Sequence, residues 1–117
     1  MYEEMMALLI IACIIVWTAV LIKYLHENKK YKNSSYGKQS SKSFWKTISN
    51  QGARGEYRNS LVIDDAPLKN KMIFNCYIPN RSGDKTEIDM IMLCNKGIYV
   101  IENKNYSGWI FGDEKSK

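Results

Sequence analysis

The sequence is short of the side chains that most often build enzyme active sites. It has one histidine, His26, and three cysteines, Cys13, Cys76 and Cys94, none of them in a C-x-x-C pair. A zinc site or a Cys–His nucleophile therefore has nothing to be built from. The isolated cysteines fit a reducing compartment. No internal repeat is present. Apolar residues are scarce outside one place. Residues 5–22 contain no charge and a single weakly polar side chain, Thr18, while the rest of the 117-residue chain is fairly polar. The 45% hydrophobic average thus hides two unlike pieces, and a simple soluble basic protein is disfavoured despite the net charge of +5.

The apolar run covers 18 positions, which as a helix reach about 27 Å against roughly 30 Å of bilayer hydrocarbon. Tyr2 and Tyr24 flank it where interfacial aromatics belong, and Leu25 extends it slightly. A secretory signal would need a basic start, a shorter run and a small-residue cleavage site. Here Glu3 and Glu4 come first, and Lys23-Tyr24-Leu25-His26 follows. A core helix would carry one polar face, and this run has none. Residues 1–25 therefore read as a single-pass membrane anchor. No Lys or Arg precedes the run, whereas Lys23, Lys29, Lys30 and Lys32 follow it. The positive-inside rule then predicts a cell-membrane protein with its N-terminus outside and the remainder in the cytoplasm.

Charge divides as sharply as hydropathy. Residues 1–22 carry −2, residues 23–58 carry +7, and residues 59–117 balance. Residues 26–43 hold five serines and only two apolar side chains, Tyr31 and Tyr36. That is too little apolar surface to offset chain entropy, so a basic, Ser-rich linker is expected. Its lysines suit attraction to anionic lipid, at about 1 kcal/mol each near the surface. A nucleic-acid-binding arm is the sharper reading of the same charges, and the two are compatible.

A globular part is expected over residues 44–117. Phe44-Trp45-x-x-Ile48 has helical spacing. Gly52-Ala53-Arg54-Gly55 interrupts it, and from Glu56 the positions Tyr57, Leu61, Val62 and Ile63 fit one helix face, closed by Asp64-Asp65-Ala66-Pro67. Strands are predicted at residues 72–78, 86–93 and 98–104, with a shorter extended piece at Trp109-Ile110-Phe111. Pro79-Asn80-Arg81-Ser82-Gly83-Asp84 and Asn95-Lys96-Gly97 supply the turns.

Within those strands, three charges sit oddly. Asp89 lies between Ile88 and Met90, and Glu102 follows Ile98-Tyr99-Val100-Ile101. Lys104 shares a strand face with Glu102. A hairpin loop of two residues (Asn95-Lys96) or of four, with Gly97 at positive φ, sets Asp89 directly opposite Glu102. A three-residue loop without a bulge would send them to opposite faces. Opposed like charges destabilise a sheet unless something positive lies between. A divalent cation would serve, and oxygen ligands suit Mg²⁺ or Mn²⁺. The competing reading is structural, with Asp89 in a partly buried salt bridge to Lys104 or Arg54.

At these residues the chain resembles the nuclease-related domain (NERD) family, a branch of the PD-(D/E)xK nuclease-like superfamily. The resemblance is carried by Gly52-Ala53-Arg54-Gly55-Glu56, Ile78-Pro79, Glu87-Ile88-Asp89-Met90-Ile91 and Gly97-Ile98-Tyr99-Val100-Ile101-Glu102-Asn103-Lys104-Asn105, continued by Tyr106-Ser107-Gly108-Trp109-Ile110. It runs from about residue 48 to 115. It implies an α/β fold: an N-terminal transmembrane helix, common in the family, then a partial PD-(D/E)xK-like core of one helix and three to four mostly antiparallel strands. It implies Asp89 and Glu102 as metal ligands, the Asn103 carbonyl as a further ligand, Lys104 as the motif lysine and Glu56 as an additional acid. Magnesium-dependent hydrolysis of DNA or RNA would be the activity. The family core continues past the third strand into a further helix and strand, so the chain reads as C-terminally truncated, with an oligomer or partner completing the core. Two functions remain open: a membrane-anchored nuclease, or a catalytically inactive membrane-tethered binding module or fragment of a longer protein of the family.

Overall fold

The computed structural model describes residues 1–104 together with Tyr106, Gly108 and Gly112. The extended piece expected at Trp109-Ile110-Phe111 lies outside the described residues. Four helices precede three strands: α1 Tyr2–Asn33, α2 Ser35–Gln39, α3 Phe44–Ser49, α4 Gln51–Asp64, β1 Asn70–Pro79, β2 Lys85–Cys94 and β3 Gly97–Ile101. The α/β expectation, with a long apolar helix ahead of a helix and an antiparallel meander, is borne out.

Helix α1 is long and apolar enough to cross a bilayer, and none of its most apolar 18-residue window is buried in protein. It does not stop where the apolar run stops. No breaker lies between Ile22 and Asn33, so the helix runs on until Ser34 turns extended (φ −67°, ψ 157°). Here the structure departs from the expected linker. Residues 26–43 are largely helical, and Tyr31 and Tyr36, their two apolar side chains, are both buried. The reason is tertiary: two tyrosines are little apolar surface for a free segment, but they suffice when a sheet and a helix close over them.

Ser34 makes the corner. Its Oγ donates to the Tyr31 carbonyl at 2.6 Å and accepts the Gly37 N–H at 3.0 Å. A Cβ at Gly37 would come within 1.9 Å of the Tyr31 carbonyl oxygen, a backbone atom that cannot step aside. Gly37→Ala is expected to cost roughly 1–3 kcal/mol through overpacking, measured by urea unfolding.

The core lies between one sheet face and the helices. Tyr31, Tyr36, Tyr57, Met72, Phe74 and Met90 form it, with Phe44, Ile48, Leu61, Ile63, Met92 and Ile101 packed around them. Tyr31 meets Tyr57 edge-on at 5.1 Å between ring centroids, and Tyr36 meets Phe74 likewise at 5.1 Å. Such pairs contribute about 0.5–1.5 kcal/mol each beyond their buried area. Val62, expected on the same α4 face, is 71% exposed instead. Helix α4 also starts earlier than expected. Asn50 caps it by accepting the Ala53 N–H at 2.9 Å, so Gly52 and Gly55 lie inside the helix rather than interrupting it.

The strands pair antiparallel in the order β1-β2-β3. The β1–β2 turn is knotted by Asn80, whose Oδ1 accepts from Ser82 N, Ser82 Oγ and Asp84 N. The other sheet face carries Ile73, Ile98 and Val100, all exposed.

Candidate functional site

The β2–β3 register decides what the strand ends bring together. Cys94 pairs with Gly97, leaving the two-residue loop Asn95-Lys96, and Gly97 adopts φ 142°. The last ladder pair is Met90 with Ile101. One step further along the same register, which is the one expected of a two-residue loop, come Asp89 in β2 and Glu102, one residue past β3 where the ladder has ended. On the other side, β1 pairs with β2 through Phe74–Met90 and Cys76–Ile88, and the intervening position opposite Asp89 is Asn75. Asn75 has φ 50°, the only positive value at a non-glycine among the described residues. Asparagine tolerates this left-handed conformation better than most side chains. Asn75, Asp89 and Glu102 thus occupy one row across the sheet.

Each member of the row has a partner. The Asp89 carboxylate accepts the Asn103 N–H at 2.7 Å, tying β2 to the residues after β3. Lys104 donates to Glu102 at 2.5 Å across a pair whose side chains are about half exposed. That hydrogen bond, with the charge of Glu102, holds the Lys104 ammonium above its ordinary pKa, and Asp89 adds a small push in the same direction. The expected salt bridge of Asp89 to Lys104 or Arg54 is not the arrangement found: Lys104 turns to Glu102, and Asp89 takes a backbone donor.

Helix α4 meets the row from its side. The Asn103 carboxamide accepts from Asn59 Nδ2 at 3.0 Å, and a Cβ at Gly55 would lie 2.4 Å from Asn103 Nδ2. Gly55 therefore sits in the helix because Asn103 needs the space. Next to it, Glu56 accepts from Asn75 Nδ2 at 3.5 Å, a long bond. The Tyr36 hydroxyl is buried near the same carboxylate without a formed hydrogen bond. Burial first, and the Glu56 charge second, push its pKa up to about 12.

That shift has a pH signature. Tyr36 ionises near 10 when unfolded and near 12 when folded, so its contribution is complete below pH 10 and is lost as pH rises to about 12. Tyr36→Phe is expected to flatten this alkaline loss by about 2 kcal/mol, read as urea midpoints between pH 9 and 12. Burial raises Tyr57 in the same direction.

As donors for a cation, the carboxylates of Asp89, Glu102 and Glu56 and the Asn103 carbonyl are of the right kind, all hard oxygen. Among the described residues, however, no three His, Cys, Asp or Glu side chains converge to hold a metal ion. The donor chemistry fits Mg²⁺ or Mn²⁺, while Glu102 points its charge at Lys104.

Sequence reasoning missed Asn75 and Asn59. The signal for Asn75 was available: the one amide within the otherwise apolar residues 72–78, whose register the Asn80–Asp84 turn fixes opposite Asp89. Asn59 gave no such signal, because its partner lies 44 residues away.

A helix leading into an antiparallel meander, with Asp89 midway along the second strand and Glu102 just past the third, defines an α/β core. Residues 51–117, more than half of the chain, match the nuclease-related domain (NERD) family, and the chain belongs to that family. Over 50 residues it is 40% identical to an uncharacterized protein of Bacillus anthracis. That alignment takes in 43% of this chain and 24% of the relative, so the chain spans about a quarter of that protein's length. No solved structure matches it.

Proposed function

We propose that the chain is a membrane-anchored, cytoplasm-facing nuclease-related domain that hydrolyses phosphodiester bonds of nucleic acid with Mg²⁺ or Mn²⁺. The observation that supports this best is Asp89 midway along β2 and Glu102 just past β3, one step beyond the Met90–Ile101 pair, with Asn103 bonded to Asp89 and Lys104 to Glu102. Asp89, Glu102 and the Asn103 carbonyl would hold the cation, with Glu56 as an additional acid on α4. When bound, the cation neutralises phosphate charge and acidifies a water molecule.

The chain's own groups have separable tasks. The Asn103 N–H holds the Asp89 carboxylate, midway along β2. Lys104, held protonated by Glu102, is a fixed positive charge rather than a base. It suits orienting the water or stabilising negative charge that develops on the phosphate. Moving Glu102 from Lys104 to a cation would leave the ammonium free to meet that charge.

A second reading, a non-catalytic binding module, draws support from the same Glu102–Lys104 pair, which occupies one expected ligand. The two separate on one experiment: full chain in detergent, single- and double-stranded DNA and RNA, with Mg²⁺, Mn²⁺ or EDTA. Cleavage with either metal and none with EDTA supports the nuclease. Binding without cleavage under every condition establishes the module. Orientation has its own test, since protease added to intact cells is expected to leave residues 26–117 uncut.

A further inference from the structure

A second feature of the chain lies at the other end of the domain, where the core meets the apolar helix. Helix α3 is held against α1 by a buried network: Tyr31 Oη donates to the Lys42 carbonyl at 2.7 Å and shares a hydrogen bond with Thr47 Oγ1 at 2.9 Å. Aromatic contacts continue this toward the apolar run. Phe44 lies 5.8 Å from Tyr31 and 6.1 Å from Tyr24, and Trp45 stacks on Tyr24 at 5.6 Å with only 14° between the rings. Tyr24 is two residues beyond Ile22, the last residue of the run. The depth of Trp45 is therefore set by α1 itself.

Trp45 is nonetheless 63% exposed. A ring stacked on one face and bare on the rest is ill placed in water but well placed at the level of lipid headgroups, where an apolar body and a polar N–H are both accommodated. Beside it runs a largely apolar groove of about 270 Å³ lined by Val20, Tyr24, Phe44, Trp45 and Ile48, together with the charged side chains of Lys23 and Glu27. Val20 belongs to the apolar run and Ile48 to α3, so the groove joins the surface facing lipid to the surface of the domain. Lys23 at the groove and Lys46 beside Trp45 supply the positive charge that anionic headgroups attract.

We propose that α3 is an interfacial foot: Trp45 enters the bilayer interface beside Tyr24, a lipid of the same bilayer fills the groove, and the domain is seated on the membrane rather than swinging from it. This rests on α1 spanning the bilayer. Continuity of the groove with α1 is what selects lipid over a second protein chain.

The chain carries its own depth gauge. Its three tryptophans are Trp17, Trp45 and Trp109, and along the helix Trp17 lies about 10 Å deeper than Tyr24. The full chain is reconstituted in vesicles of phosphatidylcholine and phosphatidylglycerol carrying bromine either near the glycerol end of the acyl chains or near their methyl ends. Two variants are compared: W17F/W109F, which emits only from Trp45, and W45F/W109F, which emits only from Trp17. Trp45 is expected to lose most emission to the shallow bromines and little to the deep ones, with Trp17 quenched more by the deep set than Trp45 is. Trp45 unquenched by both sets while Trp17 is quenched overturns the foot and leaves the membrane span standing. Trp17 unquenched as well overturns the span and the foot together. Trp45 unquenched at high protein-to-lipid ratio and water-exposed on dilution assigns the groove to a second copy and also overturns the proposal.

Discussion

Asp89→Asn in the full chain is expected to abolish metal-dependent cleavage while leaving the thermal unfolding midpoint close to that of the parent. The amide oxygen can still accept the Asn103 N–H that Asp89 accepts at 2.7 Å, so β2 keeps its tie to the residues after β3. The negative charge is what disappears. If the carboxylate is a ligand, cleavage falls by at least about a hundredfold, the scale of losing one preorganised electrostatic group. Asp89→Ala removes the hydrogen bond as well, and leaving the half-buried N–H unpaired costs roughly 1–3 kcal/mol. The two substitutions therefore separate chemistry from structure. A silent Asp89→Asn beside a destabilised Asp89→Ala would establish a structural carboxylate and end the nuclease reading. Lys104→Ala completes the set. Its side chain is exposed and its pair with Glu102 is at the surface, so stability should not change, whereas cleavage is expected to fall by about 10²–10³ if the ammonium meets charge developing in the transition state. Mg²⁺ and Mn²⁺ titrations on each variant give the readout.

Much of this site was legible in the sequence because hairpins are local. A turn of fixed length between two strands leaves few registers, and the β2–β3 register that leads toward Asp89 and Glu102 followed from where Asn95-Lys96-Gly97 falls. Elements with strong local signals were equally readable: the apolar run, the capped helix over Phe44–Ser49, and the turn closed by Gly83 at φ 88°. What failed was whatever depended on distant partners. Gly55 looked like a helix breaker, but it is the contact point for Asn103, 48 residues on. Residues 26–43 looked like solvent-exposed linker because Tyr31 and Tyr36 are sparse there. Tyr57 on α4 and Phe74 on β1, both farther along the chain, close over them. Lys104 was expected alongside the acids; it donates to Glu102, while Asp89 accepts the Asn103 N–H.

Placing arginine at both Ile11 and Ile15 is expected to move the chain from the membrane to the soluble or aggregated fraction. The ten Leu, Ile and Val residues of the run contribute about −3 to −6 kcal/mol to insertion at about −0.3 to −0.6 each. Two arginines near the helix centre cost about 5–7 kcal/mol, and two of the ten favourable residues are lost with them. Insertion then changes sign, whereas a single Ile11→Arg, at about 2.5–3.5 kcal/mol, is absorbed by the rest of the run. A steep difference between single and double variants is thus the signature of a helix solvated by lipid. The structure gives the contrasting expectation for a helix packed in protein. There, the first arginine would already strand a charge against neighbours, but every residue from Met5 to Ile22 is exposed and has no such neighbours to lose. Alkaline carbonate extraction of membranes from cells expressing each variant reads the result. If the double variant still resists extraction, the apolar run is not what holds the chain to the membrane. If the single variant is already released, α1 is less deeply inserted than its 32 residues allow. Because α1 continues unbroken into the core at Tyr31, losing the membrane should also loosen the domain. The unfolding midpoint of the double variant is expected to fall below that of the parent in nanodiscs, a coupling that a flexible linker between anchor and domain would not transmit.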